Sequence, residues 1–472
     1  MYRKTKIVCT IGPASRPRKT IERLAKAGMN VARINLSHGT LAEHEAVIND
    51  VRDTARALNI PIAILLDLPG PKIRTGALQG GRIMIEEDGT FSLVKENVKG
   101  DATTVSVNYP SFFKDIKPGN SIFLNDGAIE LKVVSAGANK VQCRVIIGGE
   151  LTENKGVNLP GVKLNLPSTI SANQEQMAFG VEHGVDFFAV SFVCSPADIT
   201  ERRRFLHRMG VNIPLIAKVE KPEAIKKIDG IIREADGIMV ARGDLGIEMP
   251  LEEVPVIQKS IVRKCNNTGK PVIVATQMLE SMINSARPTR AEVSDVANAI
   301  FDGADAVMLS GETAVGKYPV QAAGMMAKIA IETECALPYE QIIAEKRKHA
   351  QAQTDDAISY AACAIAQQIG AACIVAYTRS GSTALRVSKY KPKATILAIT
   401  PDERTFRRLA LSWGVEPYLD RAARSVDAMF IQAARLAVST GLAQSGDLIA
   451  VTAGIPTGVP GSTNMIKVHR IE

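Results

Sequence analysis

Charged and hydroxyl-bearing side chains recur in this sequence directly after short apolar runs. The set comprises Arg33, Asp67, Ser191, Lys218 with Glu220, Asp244, Thr276, and Ser310 with Glu312. Taken singly, each has an ordinary structural explanation, such as a buried ion pair or a core hydroxyl group with a local partner. As a set placed after successive runs, they indicate one polar site. Cations, hydroxyls and carboxylates together suit the binding and reaction of a small anion.

A paired lysine and carboxylate suggest where a metal ion would bind. In a strand Lys218 and Glu220 are two residues apart, so both project from the same face. Mg²⁺ is held by one or two carboxylates and keeps water or substrate oxygens in its other positions. Glu220 and Asp244 fit that pattern, with Mn²⁺ as the substitute ion. The alternative for Glu220 is an ion pair with Lys218, which is compatible with metal binding when substrate is absent.

Glycines flank the second carboxylate, in the segment Val240–Gly246. Gly243 and Gly246 follow an apolar run and lack a Cβ, so backbone N–H groups there can approach an anion closely. Alone this is a moderate signal for an anion site. Beside the expected metal ligand and Lys218 it becomes a strong one.

Eight apolar, β-branched runs supply the elements that must position these side chains. They are Lys6–Ile11, Asn30–Ile34, Pro61–Leu66, Phe187–Ser191, Pro214–Val219, Gly237–Ala241, Pro271–Thr276 and Asp305–Leu309. Such runs are typical of parallel strands buried on both faces. An open doubly wound sheet is an alternative, but eight strands separated mostly by helix-length segments favour an α/β fold of the (β/α)8, or TIM, barrel type. Active groups in such barrels lie at the C-terminal ends of the strands, which is where the polar set falls.

Two further units interrupt and follow the barrel pattern. Roughly 120 residues separate the third run from the fourth, far more than one crossover helix needs. Short alternating segments in this stretch (Arg82–Glu86, Ser121–Leu124 and Glu130–Val134) predict a small inserted β domain at the mouth of the large barrel, placed to act as a lid. The predicted domains are a barrel over 1–71 and 167–338, a lid over 72–166 and a C-terminal α/β domain over 339–472.

The C-terminal unit begins with a charged, Gln- and Ala-rich segment, Glu345–Thr354, which we interpret as a linker. The elements expected after it are a helix at Asp355–Ile369 and strands at Cys373–Tyr377, Thr395–Thr400, Val415–Leu419, Asp447–Thr452 and Met465–His469.

The composition excludes several classes of protein. In 472 residues, 46% are hydrophobic and 22% charged, which excludes a disordered or collagen-like chain. The formal net charge of +8 suits small anions better than nucleic acid, because aromatic residues make up only 4%. Seven scattered cysteines without a C-x-x-C pair argue against a disulfide framework and a thiolate zinc site. No signal peptide or membrane span is expected, so the predicted location is cytoplasmic.

Several motifs, in order along the chain, resemble those of the pyruvate kinases. They are Lys6–Ser15, Ala32–Gly39, Gly70–Gly76, Lys155–Gly161, Ile216–Glu220, Met239–Gly246, Ala275–Met282 and Leu309–Ala314. The resemblance implies an enzyme of the last step of glycolysis, which transfers the phosphoryl group of phosphoenolpyruvate to ADP and releases pyruvate and ATP. It also implies a (β/α)8 barrel, an inserted small β-barrel as the lid, a C-terminal α/β domain and a homotetramer.

The resemblance also implies roles for individual residues. Arg33 would bind the phosphate of phosphoenolpyruvate, and Lys218 would stabilise the transferring phosphoryl group and the enolate oxygen. The substrate carboxylate would lie on the backbone of Gly243 and Asp244 and on Thr276. The other expected residues are Ser191 for substrate, Glu220 and Asp244 for Mg²⁺, and Asn35, His38, Arg74 and Lys155 for the nucleotide. We expect a water relayed by Thr276, Ser310 and Glu312 to protonate the enolate.

The residues after Asp67 depart from the commoner family pattern. Many relatives bind K⁺ through positions equivalent to Asn35, Ser37, Asp67 and the carbonyl of the next residue, here Leu68. This chain carries Lys72 where those relatives have Glu, like a subgroup that needs no monovalent cation. The ammonium group of Lys72 would supply the positive charge, so no K⁺ requirement is expected.

A hydroxyl-rich loop in the C-terminal unit is a candidate regulatory site. Hydroxyl groups and free N–H groups at a helix N-terminus favour anions, and the residues concerned are Thr378, Arg379, Ser380, Gly381 and Ser382. In similar pyruvate kinases this loop binds the phosphate of an activating sugar phosphate, and a nucleotide effector is also conceivable. Simple helix capping is the alternative.

Two other functions remain open from the residues alone. A phosphoenolpyruvate- or pyruvate-dependent aldolase or lyase also needs an acid-bound Mg²⁺ and an arginine, but not Arg74, Lys155 and a lid for a nucleotide. A non-catalytic ligand sensor would retain the C-terminal loop but is expected to have lost Lys218, Glu220 or Asp244, and all three are present. ADP dependence separates the kinase from the aldolase.

Overall fold

The computed structural model describes residues 2–70, 73–109, 111–125, 127–162, 169–456 and 463–472. The strands in these ranges are, in chain order, β1 (Lys6–Ile11), β2 (Val31–Asn35), β3 (Ala63–Leu68), β4 (Arg82–Ile85), β5 (Thr90–Val94), β6 (Thr104–Ser106), β7 (Ser121–Leu124), β8 (Ile129–Ala136), β9 (Lys140–Ile147), β10 (Gly149–Thr152), β11 (Val157–Asn158), β12 (Phe187–Val190), β13 (Leu215–Val219), β14 (Gly237–Ala241), β15 (Val272–Ala275), β16 (Ala306–Leu309), β17 (Cys373–Tyr377), β18 (Thr395–Thr400), β19 (Val415–Leu419), β20 (Leu448–Gly454) and β21 (Thr463–Arg470).

The α-helices in the same ranges are α1 (Arg18–Ala27), α2 (Leu41–Leu58), α3 (Phe112–Asp115), α4 (Thr169–Glu182), α5 (Pro196–Arg208), α6 (Pro222–Lys226), α7 (Ile228–Glu234), α8 (Arg242–Glu248), α9 (Val254–Thr268), α10 (Arg290–Phe301), α11 (Gly311–Ala314), α12 (Pro319–Cys335), α13 (Tyr339–Arg347), α14 (Thr354–Gln368), α15 (Ser382–Lys389), α16 (Glu403–Arg408) and α17 (Val426–Ser439). Short 3₁₀ turns lie at Gln79–Gly81, Leu251–Glu253, Glu280–Ile283 and Leu409–Leu411.

Eight parallel strands close into a barrel in the order β1, β16, β15, β14, β13, β12, β3, β2. This confirms the predicted (β/α)8 barrel and excludes the open doubly wound sheet. The strands were recognisable because both of their faces are buried: one set of side chains packs inside the barrel and the other against the helices. The interior set includes Val8, Leu65, Ile216 and Met239, all fully buried.

The insert between β3 and β12 is a sheet of six strands in the order β11, β7, β8, β9, β5, β6, with a separate pair formed by β4 and β10. Residues 73–76 connect the two edges of the six-stranded sheet. On one side the N–H of Val157 donates to the carbonyl of Ile73 (2.9 Å), and on the other the N–H of Gly76 donates to the carbonyl of Ser106 (2.8 Å). The insert is therefore closed into a small barrel, and its apolar core includes Phe91.

The C-terminal unit is a five-stranded sheet in the order β19, β18, β17, β20, β21, in which only the pairing of β20 with β21 is antiparallel. Its 3₁₀ turn at Leu409–Leu411 enters the base of the large barrel. Ala410 and Leu411 are each 1% exposed and belong to the apolar cluster of the barrel interior. The C-terminal unit thus closes the end of the barrel opposite the polar set.

Charged contacts join the C-terminal unit to the base of the barrel. The Lys6 ammonium donates to the carbonyl of Val415 (2.7 Å) and to Glu416 (3.0 Å). Lys391 pairs with Asp305 in a buried contact. None of the helices in the described ranges has the length and apolar character needed to cross a membrane.

The predicted element boundaries are close to those observed, with one error. The segment Glu345–Thr354 was expected to be a linker, but α13 continues to Arg347 and α14 begins at Thr354, so only 348–353 lie outside helices. The charge that suggested a linker is the exposed face of a short helix. The predicted domain boundaries at 71/72 and 166/167 fall on residues outside the described ranges and stay predictions.

Asp186 holds three parts of the molecule together. Its buried carboxylate accepts from the N–H of Ile64 (2.8 Å) at the start of β3, from Arg52 of α2 (2.8 Å) and from Arg407 of the C-terminal unit (2.9 Å). Removing one partner of a buried pair leaves the other charges without compensation. Asp186→Ala should therefore lower the free energy of unfolding by about 3–5 kcal/mol, measured by urea denaturation.

The matched control is Asp53→Ala. Asp53 also pairs with two arginines, Arg18 and Arg56, but at the surface. We expect its loss to cost at most about 1 kcal/mol. Equal costs for the two variants would contradict the assigned role of Asp186.

Candidate active site

Arg33 and Asp67 form the centre of the polar site. They come from neighbouring strands, β2 and β3, near the C-terminal ends. The guanidinium of Arg33 donates through Nε (2.8 Å) and Nη2 (2.6 Å) to the same oxygen, Asp67 Oδ2, and through Nη1 to Thr10 Oγ1 (2.9 Å). Thr10 in turn donates to the carbonyl of Leu309 on β16. Arg33 is thereby fixed in one orientation at the mouth of the barrel.

Lys218 extends this network to β13. Its ammonium lies 2.8 Å from Ser191 Oγ, 2.8 Å from Glu220 Oε1 and 3.3 Å from Asp67 Oδ1. Burial lowers the pKa of Lys218, but the charges of Asp67 and Glu220 outweigh it, so the pKa lies above the usual lysine value. Lys218 is a permanent cation at neutral pH.

The carboxylates respond to the same contacts in different ways. Burial raises the pKa of Asp67, but Lys218 and Arg33 outweigh it and hold that pKa below its usual value. Burial raises the pKa of Glu220 above its usual value, against the opposing effect of Lys218. The negative charge of Asp244 raises the Glu220 pKa further.

The charges around Glu220 and Asp244 indicate whether these two expected ligands suit a metal ion. The charge of Asp244 acts on Glu220, and Asp244 has no hydrogen-bond or ion-pair partner among the described residues. Two nearby carboxylates, one of them unpaired, fit a hard divalent cation. Larger groups of three or more His, Cys, Asp or Glu residues suited to a metal are absent from the described part of the chain.

Thr276 adopts a left-handed backbone conformation (φ +69°) just after β15. Its Oγ1 accepts from the N–H of Gly243 (2.7 Å) and donates to the carbonyl of Ala275 (2.5 Å). The Thr276 carbonyl accepts from Arg242 (2.8 Å). The structure therefore brings together Thr276 and Gly243, two of the three residues expected to hold the substrate carboxylate, and they bond to each other.

Glu312 lies inside the protein rather than at the rim. It is fully buried, and its two oxygens accept from the N–H groups of Leu279 (3.0 Å) and Ser310 (2.7 Å). This geometry ties the loops after β15 and β16 together, which is a positioning arrangement. The Ser310 hydroxyl is buried and has no partner among the described residues.

The residues expected at the nucleotide form two pairs. Arg74 and Lys155 are adjacent in the lid, where Arg74 bridges to Gly156 and its guanidinium donates to the carbonyl of Asn154 (2.8 Å). Asn35 is the last residue of β2 in the barrel, and the exposed His38 lies in the turn after it.

The expected monovalent-cation site is only partly described. Asn35 Oδ1 accepts from the N–H of Ser37 (3.1 Å), and both oxygens of Asp67 are engaged by cations. The carbonyl of Asp67 accepts from Leu36 (3.1 Å), and Leu68 ends β3. Lys72 lies outside the described residues.

The candidate effector loop is a tight turn before α15. The N–H of Gly381 (φ +89°) donates to Thr378 Oγ1 (2.9 Å), and the hydroxyls of Ser380 and Ser382 lie 3.2 Å apart. The carbonyl of Arg379 accepts from Thr405 on α16 (2.8 Å). The loop thus presents hydroxyl groups at the start of a helix, as expected.

Sequence reasoning missed two residues that shape the site. Phe192 has a left-handed backbone (φ +57°), and its N–H donates to Glu220 Oε2 (2.9 Å). A Cβ added at Gly70 would lie 2.0 Å from the Phe192 ring, so that glycine permits the close approach. Arg242, whose motif was noted but given no role, donates to the carbonyls of Thr276 and Gln277 and pairs with Asp295. A cation next to the Gly243–Asp244 motif was the available signal.

Known families match both ends of this architecture. Residues 2–323 match the family described as pyruvate kinase, barrel domain, and residues 356–469 match pyruvate kinase, alpha/beta domain. The chain belongs to the pyruvate kinase family. The resemblance read from the motifs is therefore confirmed.

Individual pyruvate kinases are similar over nearly the whole chain. Those of Staphylococcus epidermidis and Staphylococcus aureus are each 46% identical over 471 residues, which cover 99% of this chain and 80% of theirs. The crystal structure of a pyruvate kinase from Cryptosporidium parvum has a TM-score of 0.93 and 36% identity, and covers 100% of this chain and 96% of that one.

The buried carboxylate of Glu312 generates a prediction about stability. Glutamine keeps the size but offers one acceptor oxygen, and its NH₂ group faces a second N–H donor. Glu312→Gln should lower the free energy of unfolding by about 1–3 kcal/mol, because one buried N–H loses its partner. Glu332→Gln, the same change at an exposed site of α12, should stay within about 0.5 kcal/mol. An unchanged urea midpoint for Glu312→Gln would refute this role.

Proposed function

We propose that the chain is a phosphotransferase that moves the phosphoryl group of phosphoenolpyruvate to ADP, giving pyruvate and ATP in the last step of glycolysis. Membership of the pyruvate kinase family supports this reaction. The observation that carries it is the contact of Arg33 and Lys218 with one buried carboxylate, Asp67, at the mouth of the barrel.

Phosphoryl transfer asks little covalent chemistry of a protein. It requires alignment of the attacking and leaving oxygens and compensation of the charge on the moving group. Arg33 and Lys218 are cations held rigidly by Asp67, so they need no rearrangement as charge develops. We assign Arg33 to the phosphate of phosphoenolpyruvate, and Lys218 to the transferring group and the enolate oxygen.

Membership of the family implies a divalent metal ion, and we propose Mg²⁺ or Mn²⁺. Glu220 and Asp244 would hold it, because the charge of Asp244 raises the pKa of Glu220 and Asp244 is unpaired among the described residues. The ion, when bound, supplies positive charge to substrate oxygens. The substrate carboxylate would bind the backbone of Gly243 and Asp244 and the hydroxyl of Thr276, with Ser191 orienting Lys218 beside it.

We assign the nucleotide to the space between barrel and lid. Arg74 and Lys155 supply two cations from adjacent lid segments, and in the barrel Asn35 ends β2 and His38 follows it. An aldolase or lyase on the same barrel would not need a cleft with separate cations for a second substrate. This feature favours ADP as co-substrate.

No K⁺ is required in this proposal. Asp67, the anionic member of the expected site, already bonds Arg33 and Lys218, so a further cation has little negative charge left to bind. Lys72 would place its ammonium group where relatives bind K⁺.

The decisive assay is pyruvate formation from phosphoenolpyruvate, ADP and Mg²⁺, in buffer free of K⁺ and again after KCl is added. We expect equal, strong activity in both. Lys218→Met should lower kcat by about a hundred- to a thousand-fold, because it removes a preorganised charge from the transition state. Lys226→Met removes the same charge from the exposed surface of α6 and should leave kcat unchanged.

Each alternative has its own outcome in this assay. Activity only with KCl would retain the kinase and overturn the role of Lys72. Pyruvate release without ADP would indicate the aldolase or lyase. No turnover with either salt, even when sugar phosphates are present, would favour the ligand sensor.

We propose that a water molecule held by Thr276 and Ser310 protonates the enolate and so gives pyruvate. Both hydroxyls lie on loops at the same rim, and the Ser310 hydroxyl has no partner among the described residues. Glu312 positions these loops through Leu279 and Ser310.

Separate assays of the two half-reactions test the relay. Thr276→Ala should slow the exchange of solvent hydrogen into the pyruvate methyl group by about tenfold or more, with a smaller effect on ATP formation. Thr268→Ala, an exposed threonine at the end of α9, is the control. Equal loss in both half-reactions, or loss in neither, would overturn the relay.

We also propose an effector site, an oligomeric state and a cellular location. The loop Thr378–Ser382 would bind the phosphate of a sugar-phosphate or nucleotide effector, as its hydroxyl groups at a helix start favour. A homotetramer is supported by apolar side chains exposed on α9 and α17, namely Val256 (69%) and Ile431 (71%). A cytoplasmic location fits glycolysis, and no nucleic-acid or membrane partner is expected.

A further inference from the structure

Glu248 lies where the lid, α8 and the loop after β13 meet. It is the last residue of α8 and is 6% exposed. Asp244 comes one helical turn earlier, so the two side chains lie on the same face of the helix. The proposed mechanism uses Asp244 and leaves Glu248 without a role.

One oxygen of Glu248 bonds to two different parts of the molecule. Its Oε1 accepts from Asn158 Nδ2 on β11 of the lid (3.3 Å). The same oxygen bonds the ammonium group of Lys221, the residue after Glu220 in the barrel. The carboxylate therefore joins the lid to the segment that carries a proposed metal ligand.

Lys221 holds this carboxylate in place. Its ammonium group lies 5.1 Å from the centre of the Phe192 ring, within the range of a cation–π contact. The N–H of Phe192 in turn donates to Glu220 Oε2 (2.9 Å). If Lys221 turned to solvent, it would lose both the ring and a buried carboxylate. Glu248 therefore keeps one orientation.

The lid approaches α8 at a second point. Gly127, in the turn between β7 and β8, has a left-handed backbone (φ +88°). A Cβ added there would lie 3.7 Å from Ile247 Cγ1, at ordinary van der Waals distance. The lid backbone therefore comes close to α8 beside Glu248, the residue that accepts from Asn158.

On the lid side, Asn158 is tied to a residue expected at the nucleotide. Lys155 lies three residues earlier, roughly 10 Å along an extended chain at about 3.3 Å per residue. The N–H of Thr75 donates to the carbonyl of Lys155 (2.9 Å), and its hydroxyl accepts from the Lys155 N–H (3.0 Å). The N–H of Val157 donates to the carbonyl of Ile73 (2.9 Å). Because these bonds hold the segment together, a shift of Asn158 moves Lys155 with it.

We propose that Glu248 is a positioning residue for the nucleoside diphosphate. By holding Asn158, it fixes the distance between the lid cations, Arg74 and Lys155, and the barrel side of the cleft. A cleft whose width is fixed in advance binds its ligand with a smaller loss of conformational freedom. This role rests on the proposed function, because it takes ADP as the second substrate.

The two substrates should respond differently when the bond between Asn158 and Glu248 is lost. Phosphoenolpyruvate is assigned to Arg33, Lys218 and the backbone of Gly243, which all belong to the barrel. ADP is assigned to groups from both the lid and the barrel. A change in the position of the lid therefore weakens ADP binding and leaves phosphoenolpyruvate binding close to that of the wild type. A general loss of structure would weaken both.

Asn158→Ala removes the bond from the lid side alone. In isothermal titration calorimetry on the full chain, ADP with Mg²⁺ should bind about three- to tenfold more weakly to this variant, as expected for one hydrogen bond. The ADP concentration at half-maximal rate should rise by the same factor, whereas kcat and the corresponding phosphoenolpyruvate concentration should stay within about twofold. Asn139→Ala, the same change in the exposed turn between β8 and β9 of the lid, is the control and should behave as the wild type.

A double-mutant cycle tests whether Glu248 is the partner. Glu248→Ala should weaken ADP binding at least as much as Asn158→Ala, and the second change should add no further loss to the first. Glu248→Gln should bind ADP within about twofold of the wild type, since its amide oxygen still accepts from Asn158. Glu252→Ala, at an exposed glutamate after α8, is the matched control. Additive losses in the cycle, or equal losses for ADP and phosphoenolpyruvate in Asn158→Ala, overturn the role of Glu248.

Hydrogen exchange without any ligand provides a measurement that depends neither on turnover nor on the folding of Glu248→Ala. Asn158→Ala should speed exchange in 155–158 of the lid and also in 244–249 of the barrel, while Asn139→Ala should change neither. Unchanged exchange in 244–249 would show that the lid does not hold α8 and overturns the proposal.

Failure of the positioning role and failure of the proposed function give different results. An active wild-type enzyme with unchanged ADP binding in Asn158→Ala overturns the positioning role and leaves the proposed function standing. A wild type without turnover, in which Asn158→Ala still shows weaker ADP binding and faster exchange in 244–249, refutes the proposed function and leaves the positioning role standing.

Discussion

A single buried carboxylate organises the mouth of the barrel. Asp67 is 1% exposed and bonds Arg33 from β2 and Lys218 from β13. Burying one charge without partners costs several kcal/mol, so each of the three side chains depends on the others to stay ionised inside the protein. The strands that carry them must therefore keep one register. The closed parallel sheet keeps this register. A strand displaced by one residue would point its charged side chain into the hydrophobic layer on the other face.

The rest of the mouth is built outward from this centre by backbone contacts. Thr10 fixes Arg33, the N–H of Phe192 fixes Glu220, and Glu312 joins the loops after β15 and β16. Each contact uses a main-chain group or a buried polar side chain. The result is a set of charges that is preorganised before substrate arrives, which is the condition under which electrostatic stabilisation of a transition state is most effective.

The sequence was informative where burial or repetition imposes a pattern. All eight barrel strands could be predicted because both of their faces are apolar, and the polar set at the strand ends followed from the barrel rule. The backbone conformation of single residues leaves no comparable pattern in the amino-acid sequence. Nothing in the sequence around Phe192 or Thr276 predicts a left-handed backbone conformation, since glycine is the residue that usually adopts it. The position of Glu312 inside the wall, rather than at its rim, likewise depends on which N–H groups two loops leave unpaired. The last residues of α13, Glu345–Arg347, fall within the predicted linker because a charged helix face and a flexible segment have similar compositions.

The turn at Leu409–Leu411 has a consequence for the order in which the molecule forms. These residues complete the apolar interior of a barrel whose last strand, β16, ends a hundred residues earlier in the chain. During synthesis the eight strands emerge from the ribosome well before the turn that closes their base. Until then the barrel exposes the lower layer of its core to water, and the Lys6 ammonium lacks the carbonyl of Val415. The nascent barrel therefore lacks part of its apolar interior until the C-terminal unit docks beneath it, and a chain cut after α12 would retain an open apolar base, which favours aggregation.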